Sequence, residues 1–107
     1  MTLKSIQEYG KGFQIKVLSS LLTHKDFLTN IYDIINEEDF NNQAHRWIVK
    51  EILAYYDKYH TTPSLDILKV EVKKIENEVL QLSIKEQLRE AYIASDDDLK
   101  YVQEEFS

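Results

Sequence analysis

The chain has 107 residues, 43% hydrophobic and 11% aromatic, which is the size of one domain around one core. Two glycines and one proline leave little material for hairpins or phosphate-cradling loops, and the absence of cysteine excludes disulfides, thiolate metal sites and cysteine nucleophiles. Net charge is −6 with only two arginines, Arg46 and Arg89, a poor endowment for gripping nucleic acid, although residues 1–25 hold four lysines against one glutamate. Protein partners fit this balance better.

Apolar residues recur at helical spacing almost throughout, and no sustained period-two alternation appears. After "GKG", Phe13, Val17, Leu18, Leu21 and Leu22 form the apolar face of a first helix. "THKDFLTNIYDII" predicts a second, with Phe27, Ile31, Ile34 and Ile35 inward and Thr23 as its N-cap, Asp26 three residues on completing a weak capping box. A third helix is expected from about Asn42 to His60, striped by Ala44, Ile48, Ile52, Tyr55 and Tyr59. Thr61-Thr62-Pro63 stops it, and Thr62 is placed to cap a fourth helix with Leu65, Leu68, Val72, Ile75 and Val79 on one face. Ser83 and Glu86 match a capping box for the next, with Ile84, Leu88, Ala91 and Tyr92 inward. A last helix is expected after Ser95, its three aspartates favoured by the helix dipole and Leu99, Val102 and Phe106 on one side. The fold class is therefore all-α: one compact bundle of five to seven short helices spanning residues 1–107. The pattern ends without a helix stop signal, which suggests a fragment of a longer protein.

The stretch "EEDFNNQAHRWI", residues 37–48, holds the densest cluster of chemistry-bearing side chains. His45 falls about 60° from Ile48 around the third helix, in the arc of Val49, Ile52 and Tyr56, and so points into the apolar side. A core histidine bonded to a neighbouring backbone group is the expectation, with no catalytic role. His24, His45 and His60 lie on different elements without ligand spacing, so no metal site is expected. "GKG" lacks the G-x-x-x-x-G-K-[ST] pattern of a P-loop, and "HKD" at 24–26 matches no phosphodiester-cleaving motif. Glu37, Glu38 and Asp39 read as a helix–helix junction, with Phe40 as its apolar plug and Asn41 or Asn42 as the following cap. Phe40, Ala44, His45, Ile48 and Ile52 are thus structural. Trp47, Ile67 and Val70 lie off the core stripes, as incidental exposed residues or as a candidate partner surface. No apolar run approaches the ~18 residues of a membrane span, and a cytoplasmic protein is expected.

From "VLSSLL" through Phe27, the corner Glu38-Asp39-Phe40, Ala44-His45-Arg46 and "DKYHTTPSLDILKVEV", residues 13–75 resemble the amino-terminal domain of DnaB-type replicative DNA helicases. The last of these stretches is closest to the T-even phage branch, which would place the protein in the host cytoplasm. The resemblance implies a non-catalytic collar domain of a hexameric ring helicase, associating with copies of itself and with primase. It implies no cofactor here, ATP and magnesium being expected only in a separate ATPase domain absent from this chain. The rival reading is a stand-alone helical adaptor, such as a helicase loader or regulator.

Overall fold

A computed structural model describes residues 10–94, and the helix expected after Ser95 lies outside the described residues. Among these, every regular element is helical: α1 (Gly10–Thr23), α2 (Lys25–Ile31), a 3-10 turn (Glu37–Asp39), α3 (Gln43–Tyr59), α4 (Leu65–Lys73) and α5 (Glu78–Ile93). Five α-helices without a strand make an all-α fold.

The central helix is α1, packed against α2, α3 and α5. It starts at Gly10 with φ +83°, a left-handed conformation that glycine adopts without steric cost, so "GKG" belongs to the helix and does not precede it. Burial runs unbroken from Val17 to Leu22, including Ser19 and Ser20. Ser20 costs little because the helix absorbs its polarity, its Oγ donating to the Lys16 carbonyl, and in the same way Thr23 Oγ1 donates to the Ser19 carbonyl. Thr23 is thus the last residue of α1. The N-cap of α2 is His24, whose side chain makes no capping bond. Of the inward residues expected on α2, Phe27, Ile31 and Ile35 are buried, but Ile34 is 43% exposed. The helix ends at Ile31, and the turn that follows rotates Ile34 out and Ile35 in.

Asn42 caps α3 by accepting from the Ala44 and His45 N–H groups, and Ala44, Ile48, Val49 and Ile52 are buried. The stripe does not stay inward to its end. Tyr55 is half-buried and Tyr59 is 54% exposed, because the last turn of α3 runs past the core. That helix stops at His60, a non-glycine residue at φ 58°, and not at the following threonine–proline stretch. Ser64, not Thr62, caps α4. Thr62 Oγ1 instead donates to the Leu21 carbonyl of α1, tying this connection to the core.

Two boundaries differ further along. The fourth helix ends at Lys73, so Val79, expected on its apolar face, belongs to α5 and is 81% exposed. Asn77 caps α5 by accepting from the Leu80 N–H, and Ser83 and Glu86 sit inside a continuous helix, where they form no capping box. Ile84, Leu88 and Ala91 face the core from there, with Tyr92 half-buried beside them.

Candidate interaction surface

The corner from Asn36 to Arg46 is held by its own polar groups. Asn36 Oδ1 accepts from the Glu38 N–H at 2.9 Å, and Asp39 Oδ2 accepts from the Asn36 N–H at 3.0 Å. Partial burial raises the Asp39 carboxyl above its ordinary value, while this backbone N–H pulls in the opposite direction. Arg46 reaches back to the Phe40 carbonyl, its Nε donating at 2.6 Å. Phe40 itself is fully buried, its ring edge-on to His45 with centroids 6.2 Å apart.

His45 has no exposed surface. Its Nε2 lies 2.7 Å from Gln87 Oε1, and its Nδ1 lies 3.4 Å from Gln14 Oε1. An amide oxygen cannot donate, so the short contact places the proton on Nε2. The expected backbone partner is replaced by two side-chain amides, one from α1 and one from α5, both themselves buried. Burial is the main influence on the imidazole and lowers its pKa. The Gln87 bond and the Glu90 carboxylate raise it, and Lys11 lowers it. A neutral imidazole sealed from solvent, donating its one N–H to Gln87 and lying against the Gln14 amide, cannot reach a substrate. It joins α3 to α1 and α5.

A second polar seam joins α2 to α3 at the surface. Tyr56 donates to Thr29 Oγ1 at 3.0 Å, Tyr32 donates to Asp57 Oδ1 at 2.8 Å, and the two tyrosine rings meet edge-on at 4.9 Å. The bond to Asp57 is the first cause raising the Tyr32 pKa.

The residues expected to meet a partner occupy three settings. Trp47 is half-buried against the core. Ile67 lines a shallow depression of about 340 Å³ with Tyr55, Tyr59 and Pro63. Val70 is 54% exposed on α4. Neither Trp47 nor Val70 belongs to the walls of that depression. At its edge Glu51 has a raised pKa, first from burial and then from the negative charge of Glu71.

Larger apolar surface lies elsewhere. Between α4 and α5 runs a groove of about 530 Å³ floored by Val72, Leu88 and Tyr92, with Lys69, Lys85 and Arg89 on its walls. Continuous with it, since Arg89 and Ile93 also line the groove, the outer side of α5 exposes Val79 (81%), Leu82 (67%) and Ile93 (75%), more than any other large hydrophobic residue described. The sequence conceals this row because Ser83-x-x-Glu86 imitates a helix start and divides it between two helices. Its signal was Asn77 followed by Glu78, an equally good cap with an acid in the first turn.

Among the described residues, no group of three or more histidines or acids could hold a metal ion. No described helix is long and apolar enough to cross a membrane. Residues 15–103 match the family described as DnaB-like helicase N terminal domain. The chain belongs to that family. Its place is that of the amino-terminal, non-catalytic domain of a DnaB-like replicative helicase. No curated protein and no solved structure matches the chain.

Proposed function

We propose that this domain is the collar module of a hexameric replicative helicase, assembling with copies of itself and contacting primase while performing no chemistry of its own. The family match over residues 15–103 is the observation that carries the reading. Two features support association as its mode of action: the most chemically suggestive histidine is sealed inside the bundle, and the largest exposed apolar residues lie on one helix. In this role ATP and magnesium are handled by a separate ATPase domain. The stretch "DKYHTTPSLDILKVEV" favours the T-even phage branch, hence a protein working in the host cytoplasm.

The test is a titration of the purified chain against a primase from the same source, followed by calorimetry. Saturable 1:1 binding with a Kd in the micromolar range or below is expected. Absence of binding, with saturable binding to an unrelated helicase loader, would replace the collar by an adaptor.

A further inference from the structure

The outer side of α5 reads Leu82, Glu86, Arg89, Ile93, with Val79 extending its first end. At 100° per residue these four positions lie within about 60° of one another around the helix, with Val79 about 20° beyond Glu86, opposite the buried Ile84, Gln87 and Ala91. Glu86 and Arg89 are exposed, and neither forms an ion pair or side-chain hydrogen bond among the described residues. Successive spacings along the row are four, three and four residues, so the row superposes on itself when the helix is reversed. The chemistry reverses with it. Apolar–acid–base–apolar read backwards sets each apolar end against an apolar end and acid against base.

We infer that α5 pairs antiparallel with α5 of a second copy about a two-fold axis through the row, Leu82 packing on the second copy's Ile93 and Glu86 meeting the second copy's Arg89. The inference rests on the self-association in the collar reading and deepens it by naming the surface. Three observations select a second copy as the occupant. The row is self-complementary, as a two-fold interface requires. A parallel mate would set Glu86 against Glu86 and Arg89 against Arg89. A uniformly acidic or basic partner would satisfy only one of the two charges. From Leu82 to Ile93 the row spans about 16 Å, so the pair makes one Leu82–Ile93 contact at each end, with helix axes about 8–10 Å apart. One helix per copy buries less than a standard interface, so the pair is a concentration-dependent one.

Charge swaps test the pairing directly, because the substituted side chains are exposed and helix-compatible. Glu86→Arg and Arg89→Glu are made separately in the 107-residue chain, with circular dichroism to confirm equal helix content and sedimentation equilibrium to read mass. The native chain is expected to dimerise. Each single variant should raise its dimer Kd at least tenfold, since it sets like charges against each other twice. Mixed in equal amounts, the two variants should form a 1:1 heterodimer, and Glu86→Arg with Arg89→Glu in one chain should restore the homodimer. Native dimerisation that ignores both swaps would overturn the α5 pairing and leave self-association through another face. A native chain that stays monomeric at millimolar concentration would overturn the pairing too, while the primase titration would still decide the other half of the collar reading.

Discussion

Helices α3 and α5 are of similar length and both press an apolar face on α1, yet their outer sides differ. The outer side of α3 presents Arg46, Lys50, Ala54 and Asp57, as a helix finished by solvent should. The outer side of α5 keeps three large aliphatic residues in water with one acid and one base between them. Burial therefore explains α3 as far as its last turn, where Tyr59 is exposed, and only half of α5. The remaining half is explained by something that covers it, and its alternation of charge favours a mate with the same row.

The sharpest way to break this comparison is one chemical change on each helix. Ile52→Ala on the inner face of α3 opens a cavity in a site with no exposure, and should cost about 2–5 kcal/mol in denaturant unfolding. Leu82→Ala on the outer face of α5 should change the stability of dilute, monomeric chain by less than about 0.5 kcal/mol. A large loss at Leu82 under dilute conditions would place that residue in the core and end the distinction.

His45→Ala comes next, because α3 and α5 meet at this residue. It leaves the Gln87 oxygen without its imidazole donor in a buried site, which should cost about 1–3 kcal/mol. The substitution should also alter the pH dependence. The folded imidazole has a pKa below its ordinary value of 6.5, so the unfolded chain takes up this proton first. The contribution of His45 is whole above pH 6.5 and is lost as the pH falls from there toward its lowered folded pKa. Urea unfolding of the native chain should weaken across that window, and His45→Ala should show a flatter profile.

How much of this was legible in the sequence also divides between the two helices. Everything that fixes α3 is local: Asn42 before the first turn, a stripe of period 3.6, and the acid–phenylalanine corner preceding it. Its far end escaped, because periodicity continues to Tyr59 whereas the core beneath it does not. The start of α5 was obscured for a different reason. Lys74 to Asn77 contain neither glycine nor proline, so no breaker marks the end of α4, and a serine–glutamate pair six residues later supplies a false beginning. The two glutamines around His45 lie 31 and 42 residues away in sequence, and only the packing of three helices brings them together.

Smaller effects sharpen the account of the helix ends. Asn42→Ala removes an acceptor shared by two N–H groups and Asn77→Ala an acceptor for one, so each should cost about 1 kcal/mol, with Asn42 the costlier. If Asn77→Ala were neutral while Ser83→Ala was costly, the helix would begin where the sequence pattern suggested. Smallest of all, His60→Gly should raise the midpoint of thermal unfolding slightly, by about 0.5 kcal/mol of stability, since glycine takes the left-handed conformation more easily.

The central claim is that the outer side of α5 is made to be covered and that of α3 is not. It is tested most directly by recording amide chemical shifts of the ¹⁵N-labelled chain from micromolar to millimolar concentration. Shifts that move with concentration at Leu82, Glu86, Arg89 and Ile93, and stay fixed at Lys50, Ala54 and Asp57, are the predicted result. Movement confined to α3, or none on α5, would contradict it.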